Sequence, residues 1–297
     1  MENESAAAAE ERETRRILRQ VQDHLFSIHT GLGAVRETVG MVEVFHHPTN
    51  PLPNLNYVTP RPKTAWVSGS MVQQGLDHLS KFDRTARVQY VEGLFPPLFA
   101  KTLRDLNLKV ERETPVMIYK PEGISGHIPP PLTQPHLPDG VTLEQVRDQR
   151  GIEAWWYVWR NAYFDVLTLG VEPLFVGRDT AALRLGQQLD FLLYRYGFPV
   201  GVTRVSIQGE TAHILALAVL KEVRTAQMIQ ALQTAALAGA LERKASLIFA
   251  PGETETERRL GRELGFVDFG SIVCYSGSNQ AHEERHVPSM EHPVLSF

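Results

Sequence analysis

The fold is decided by the stretch HILALAVLKEVRTAQMIQAL, which spans residues 213–232. Residues 213–219 form a short apolar run of strand length, and residues 224–243 are alanine-rich and long enough for a helix. A turn that contains one arginine, Arg224, joins the two. Because the N-terminus of a helix presents unpaired N–H groups and a partial positive charge, this strand-to-helix turn can hold a phosphate-bearing cofactor.

Composition and charge exclude several classes of protein. With 43% hydrophobic and 22% charged residues in 297, the chain is predicted to be globular, with one large domain or two ordinary ones. A net charge of −4 argues against a nucleic-acid partner. The single cysteine, Cys274, excludes an internal disulfide and argues against a cysteine zinc site. No metal site or membrane span is expected. Because no signal peptide is expected either, and a single cysteine is typical of a reducing compartment, the predicted location is cytoplasmic.

The N-terminal half alternates helical and extended patterns up to a proline-rich segment. The patterns predict helices at residues 8–29, 69–81 and 96–106, and strands at 42–45, 56–59, 87–91 and 109–119. Residues 120–141 contain six prolines, which is typical of a semi-rigid extended linker. The predicted domains are therefore residues 1–120 and 142–297, with a linker at 121–141 and a polar tail after Gly277.

The C-terminal half has the patterns of four helices and five strands. Helices are predicted at 152–166, 179–190, 224–243 and 253–264, and strands at 191–196, 201–208, 213–219, 246–250 and 267–276. Asp179 is the expected N-cap of the second helix. Trp155, Trp156 and Trp159 on the first helix have the spacing of a buried face, which favours core packing over a substrate cage.

The two halves repeat one order of elements, strand–helix–strand–helix–strand. Tyr57 and Val88 in the first half are 31 residues apart, and Leu217 and Leu247 in the second half are 30 residues apart. The same order at matching spacing predicts two related units.

Three motifs in the second half carry a resemblance to a known family. Leu217-Ala-Val219 ends one strand, Leu264-Gly-Phe266 follows the last helix, and a final strand covers residues 269–275. In this order and spacing, residues 153–276 resemble the acetyl-coenzyme A-dependent N-acetyltransferase (GNAT) superfamily. The resemblance implies an α/β fold of two tandem GNAT-like units, each a mixed, mostly antiparallel sheet flanked by helices, with the N-terminal unit reduced.

The resemblance also implies a cofactor site for acetyl-CoA or another acyl-CoA. Backbone groups of Leu217 and Val219 would pair with the pantetheine arm. The turn would wrap the pyrophosphate, and it comprises Arg224, Thr225, Ala226, Gln227, Met228 and Ile229. Three of these, Thr225, Gln227 and Ile229, replace the family's glycines or small residues and narrow the approach to the backbone. The corresponding turn of the first unit, residues 60–63, has no such pattern, and no cofactor is expected there.

The resemblance implies a reduced set of catalytic groups. Gly261 stands where the family often has a proton-donating tyrosine, and Thr254 stands where an asparagine is common. His213 occupies the position of a glutamate base, and Glu210 on the preceding turn is a second candidate. Histidine, with an unperturbed pKa near 6.5, can accept a proton from an ammonium group. The competing interpretation of His213 is a strand-end histidine satisfied by the backbone.

Three functions follow as hypotheses. The first is an N-acyltransferase that moves an acyl group, acetyl above all, from acyl-CoA to the amine of a small molecule or peptide. The second is a catalytically inactive GNAT-like protein for ligand binding or assembly, which the missing glycines and Gly261 favour. The third, transfer from an aminoacyl-tRNA, is disfavoured by the acidic charge balance. Exposed edges of the predicted sheets would suit a homodimer, and no membrane partner is expected.

Overall fold

A computed structural model describes residues 2–277, except 65, 125, 136, 165–170 and 172. The chain divides into two compact units. Unit 1 comprises Met1–Val116 together with the segment that starts at Gly270, and unit 2 comprises Met117–Phe269.

Unit 1 is a sheet with three helices. Its elements are α1 (Glu2–Gly31), β1 (Val35–Val39), β2 (Val42–His46), β3 (Tyr57–Pro60), α2 (Gly69–Ser80), β4 (Arg87–Val91), α3 (Leu98–Asp105) and the first part of β5 (Leu108–Tyr119). The strand order in unit 1 is β1-β2-β3-β4-β11-β5, where β11 is Val267–Gly277. The β3–β4 pair is parallel, whereas β1–β2, β2–β3 and β4–β11 are antiparallel.

The core of unit 1 forms where α2 packs closely on the sheet. Val42, Val58 and Val88 belong to one buried apolar cluster with Leu76 of α2. A Cβ atom at Gly75 would lie 2.7 Å from a methyl group of Val42. Glycine is therefore required at this position for α2 to approach the strands.

Unit 2 is built on the same plan with longer strands. After the end of β5 it contains β6 (Val141–Gln145), α4 (Gln149–Phe164), α5 (Pro173–Arg184), β7 (Gln188–Arg195), β8 (Phe198–Gln208), β9 (Thr211–Val219), α6 (Ala226–Glu242), β10 (Leu247–Pro251), α7 (Glu255–Glu263) and the start of β11. The strand order is β5-β10-β9-β8-β7-β6. The β9–β10 pair is parallel, whereas β6–β7, β7–β8 and β8–β9 are antiparallel.

The predicted fold class is confirmed. Each unit has a mixed, mostly antiparallel sheet with flanking helices, and each has one parallel pair, β3–β4 or β9–β10, whose strands are joined through a helix. The strand predicted at residues 213–219 and the helix at 224–243 correspond to β9 and α6.

The packing groups two segments differently from the predicted domain limits. The predicted linker at residues 121–141 packs in unit 2, where Leu132 lies against the buried core. The last strand crosses from unit 2 into unit 1, because residues 272–276 of β11 pair with β4. Such pairing between segments about 180 residues apart leaves no local signal in the sequence.

The predicted helix at residues 179–190 with Asp179 as its N-cap is wrong. Helix α5 ends at Arg184, β7 already begins at Gln188, and Asp179 lies inside α5 with 1% of its surface exposed. Its carboxylate accepts hydrogen bonds from Trp156 Nε1 at 2.9 Å and pairs with Arg204 at 2.7 Å. Asp179 is thus a buried acceptor for α4 and β8 and not a helix cap.

The guanidinium of Arg204 joins three elements of unit 2. It pairs with Asp190 of β7 at 2.8 Å and with Asp179 of α5, and it lies 3.9 Å from the ring centre of Trp155 of α4. Arg204 is 2% exposed and Asp190 is 0% exposed. Burial raises the pKa of the Asp190 carboxyl, and Arg204 opposes that rise. Arg204 is therefore the cation for the fully buried Asp190, whereas Asp179 also pairs with Arg178 at 2.8 Å.

None of the helices in the part of the chain described by the structure has both the length and the apolar character needed to cross a membrane.

Replacing Arg204 with methionine should lower the free energy of unfolding of unit 2 by about 3–5 kcal/mol, because it leaves the fully buried carboxylate of Asp190 without its cation. Denaturant titration measures the change. Arg259 pairs with Glu263 on the surface of α7 and provides the matched control. Arg259→Met should change stability by less than about 1 kcal/mol. Equal losses in the two variants would contradict a special role for the buried network.

Candidate functional site

A cavity forms in unit 2 where β9 and β10 separate. The two parallel strands are paired at Leu247–Thr211, Ile248–Ala212 and Phe249–His213, and β9 then continues to Val219 beside β8. The β8–β9 register shifts at Arg204/Val205, which leaves Leu215 as an extra residue in β9. A bulge of this kind bends a strand and disrupts its ladder locally. The separation exposes the backbone edge of β9 between the two strands.

The cavity is partly enclosed and opens to solvent. Its wall is formed by residues of β5, α4, β9, α6, β10 and α7 and of the loops that follow β10 and α7. The lining residues are Met117, Trp159, Tyr163, Ile214, Leu215, Ala216, Leu217, Gln233, Ala250, Pro251, Glu253, Glu257, Gly261 and Phe266. A mostly apolar cleft with a few polar groups is the usual form of a small-molecule site.

Tyr163 of α4 reaches the exposed edge of β9. Its hydroxyl donates a hydrogen bond to the carbonyl oxygen of Leu217 at 3.0 Å, and its ring lies 4.1 Å from that of Trp159. Burial raises the pKa of Tyr163, and the Glu257 and Glu253 carboxylates raise it further. The phenol therefore remains protonated at neutral pH and can donate a hydrogen bond within the cavity.

Two carboxylates, Glu253 and Glu257, line the cavity. Glu257 belongs to the first turn of α7, where it forms a capping box with Thr254: its Oε2 accepts from Thr254 N at 3.1 Å. Burial raises the pKa of Glu257, the Thr254 N–H opposes this, and the neighbouring Glu253 adds to the rise. Glu257 is thus a carboxylate held in a fixed rotamer, with an increased affinity for a proton.

The N-terminus of α6 is open to solvent next to the end of β9. Thr225 is its N-cap, with Oγ1 accepting from Met228 N at 3.3 Å. Residues Arg224, Thr225, Ala226 and Gln227 are exposed, and the first turn of α6 contains no acidic side chain. The N–H groups at this helix start can therefore meet an anion, with Arg224 beside them.

The structure brings some of the predicted binding residues to this region and buries others. Leu217 lines the cavity, and Arg224 to Gln227 surround the exposed start of α6. Val219, Met228 and Ile229 are buried in the apolar core beneath the turn. The side chain of Ile229 therefore points into the protein and does not narrow the outer surface of the turn.

The two predicted proton acceptors lie outside the cavity lining. His213 is 3% exposed and stacks on Phe249, with ring centres 4.1 Å apart, where β9 and β10 are still paired. Glu210 lies on the turn before β9, where its carbonyl accepts from Ser246 N at 2.8 Å. Leu217 lies seven positions beyond Glu210 along the extended chain, so their Cα atoms are about 23 Å apart. The catalytic roles of His213 and Glu210 remain predictions.

Sequence reasoning missed the polar groups of the cavity. Tyr163 follows Trp159 by one helical turn on a helix whose aromatic residues give no sign of a polar site. Trp155 and Trp156 are buried, as predicted, whereas Trp159 is 5% exposed and also lines the cavity. Glu257 fits the Thr-x-x-Glu pattern of a capping box, which signals a helix start but not a cavity. Over residues 2–277, apart from the gaps given above, no group of His, Cys, Asp and Glu side chains is arranged to hold a metal ion.

Comparison with known proteins identifies the fold. No family model matches the sequence, and no curated protein matches it either. Solved structures do match. A GCN5-related N-acetyltransferase from Kribbella flavida is 18% identical, with a TM-score of 0.68 over 90% of this chain and 97% of that one. A tandem GNAT protein from the clavulanic acid biosynthesis pathway is 14% identical, with a TM-score of 0.59 over 80% and 78%. The protein has the tandem GNAT fold.

A further GCN5-related N-acetyltransferase, from Sphaerobacter thermophilus, matches with a TM-score of 0.57 at 15% identity, over 79% of this chain and 76% of that one. The resemblance first drawn from Leu217-Ala-Val219 and Leu264-Gly-Phe266 is thereby confirmed as one of fold. Within this tandem GNAT fold, every described residue that lines the cavity belongs to unit 2.

Replacing Tyr163 with phenylalanine should lower the free energy of unfolding by about 1 kcal/mol, because the Leu217 carbonyl loses its hydrogen-bond donor. Thermal or denaturant unfolding measures this. Tyr157→Phe, on the same helix but outside the cavity lining, is the control and should be nearly neutral. If Tyr163→Phe is as stable as the wild type, the hydroxyl does not hold α4 to β9.

Proposed function

We propose that this protein is an N-acyltransferase that binds acyl-CoA in the cavity of unit 2. The observation that carries the proposal is that two features follow each other along the chain: the separated edge of β9 at Leu217 and the exposed N-terminus of α6 at Thr225. Arg224 at that helix start lies close enough to Tyr163 and Glu257 of the cavity to oppose the rise in the pKa of each. The β9 edge offers backbone groups to the amides of a pantetheine arm, and the start of α6 offers N–H groups to a phosphate. The names of the solved N-acetyltransferases that share the fold support the same reaction.

The donor would be bound by the residues that follow β9. The pantetheine arm would lie along Leu217 toward Val219, and the pyrophosphate would meet the N–H groups of Ala226 and Gln227, with Arg224 as the neighbouring cation. Because Tyr163 already donates to the Leu217 carbonyl, an arm that pairs with that carbonyl has to share or displace the phenol. The acceptor would be an amine of a small molecule or peptide.

The reaction requires two protons to leave an ammonium acceptor. One must go before attack, so that the nitrogen lone pair can add to the thioester carbonyl carbon. The C–S bond then breaks, the thiolate leaves with its electron pair and takes one proton, and the second proton passes to solvent. Of the titratable groups in the lining, we assign acceptance of the first proton to Glu257, and to Tyr163 a hydrogen bond to the departing thiolate, which takes its proton from the two that leave the ammonium.

Acetyl-CoA at about 100 times its Kd should raise the free energy of unfolding by about 2.7 kcal/mol, since a ligand that binds the native state stabilises it. Arg224→Ala should weaken binding by about tenfold, the loss of one charge-assisted contact. Arg243→Ala, at the other end of α6, is the matched control and should bind as the wild type does. Absence of a thermal shift with every acyl-CoA tried would refute the proposed function, and binding without turnover of any amine would refute the catalytic part.

The pH dependence of turnover distinguishes the proton acceptors. If Glu257 accepts the proton, activity should fall as the pH drops below its raised pKa, and Glu257→Gln should lower kcat by about 10²-fold or more and remove that limb of the profile. His213→Gln should then keep the limb. The reverse pattern, with His213→Gln inactive and Glu257→Gln active, would restore the role first predicted for His213. Initial rates of thiol release from acyl-CoA measure both.

A further inference from the structure

The two ends of the cavity adjoin different parts of the core. Met117, Ile214, Ala250 and Phe266 lie in or against one buried cluster, which we call core A. Leu217 packs against a second cluster, core B, which contains Val219, Met228, Ile229 and Leu232 among others. Tyr163 is associated with core B through its hydrogen bond to Leu217, and Arg224 lies outside the lining at the start of α6. Glu257 also lines the cavity, one helical turn before Gly261 on α7.

Helix α6 connects the two ends and sets the distance between them. Its residues Met228 and Leu232 belong to core B, and Ala236 and Ala240 belong to core A. From Met228 to Ala236 the helix rises about 12 Å. A donor whose pyrophosphate is held at the helix start therefore extends its far end, the thioester and the acyl group, toward core A.

The part of the cavity lining that belongs to core A is a hydrocarbon surface. Met117, Ile214, Ala250 and Phe266 have no titratable or hydrogen-bonding side-chain group, apart from the thioether sulfur of Met117. An acetyl group presents a single methyl to this wall. Each further methylene of a longer acyl chain would be transferred from water to an apolar surface.

Met117 and Gly261 determine how much room there is at this end. A Cβ atom at position 261 would lie 3.0 Å from the terminal methyl and 3.1 Å from the sulfur of Met117. The thioether therefore lies over the glycine, in space that a larger residue at 261 would occupy. Because methionine is unbranched and adopts many rotamers, this side chain can move aside for a chain of several carbons.

We propose that the acyl group transferred is longer than acetyl, a linear chain of about four to six carbons, and that Met117 and Gly261 are the residues that set its length. This inference rests on the proposed function, since it places the acyl end of the same donor in the same cavity. It names the substrate class of the donor, whereas the proposed function holds for any acyl-CoA.

The test is a series of acetyl-, butyryl- and hexanoyl-CoA, with Kd measured by calorimetry and kcat/KM by thiol release. For the wild type, Kd should fall by about fourfold for each added methylene, so that butyryl-CoA binds about 16-fold more tightly than acetyl-CoA. Gly261→Ala, which forces Met117 into the chain's space, should reduce the preference for hexanoyl over acetyl by tenfold or more. Met117→Ala should shift the preferred length to longer chains.

Met71→Ala is the control for loss of a core methionine, since Met71 packs against the core of unit 1. It should leave the order of chain lengths unchanged. A thermal melt with each acyl-CoA confirms that every variant is folded. Equal or tighter binding of acetyl-CoA by the wild type would overturn the inference and leave the proposed function intact. Failure of every acyl-CoA to bind the wild type would overturn both.

Discussion

The separation of β9 from β10 is the constraint on which the functional region depends. The strands are paired as far as Phe249 and His213, and beyond that point β9 continues with a bulge at Leu215 while β10 ends at Pro251. An interior sheet strand normally has both edges bonded. Here one edge of β9 is released within a folded sheet, so its backbone is held rigid and still has groups to offer. The cavity and the exposed backbone of β9 follow from that local loss of pairing.

Helix α4 closes one side of the cavity, and buried charge fixes its position. Trp155 donates to the Thr203 carbonyl and Trp156 donates to Asp179, whose partner Arg204 also binds Asp190. Because a buried cation and two buried carboxylates are tolerated when all are paired, this network favours one arrangement of α4, α5, β7 and β8. Tyr163 lies one helical turn beyond Trp159 on the same helix and is therefore positioned to contact Leu217. The polar chemistry of the site depends on a network that does not itself touch the cavity.

Much of the fold could be predicted from local pattern, and the errors occurred where distant residues decide. Alternation and apolar runs identified the strands at 87–91 and 213–219, and the repeat pointed to two similar units. The prediction of a helix at 179–190 was wrong because aspartate is a frequent N-cap residue. In the folded protein Asp179 lies inside α5, and its carboxylate pairs with Arg204 of β8. Strand β1 was missed because Val35–Val39 is a short, largely exposed edge without a clear period.

The sequence by itself determined most of the order of strands and helices, the tandem GNAT resemblance and the position of the turn from Leu217 to Thr225, because periodicity and motif spacing are local properties. The tertiary structure alone decided which side chains share a site. Tyr163, Glu257 and Met117 come from three elements that are far apart in the chain, and strand pairing and helix packing bring them to one cavity. His213 has a chemically suitable side chain, but the same packing buries it against Phe249 outside the lining. Proximity in three dimensions is set by those long-range contacts, which no single stretch of sequence contains.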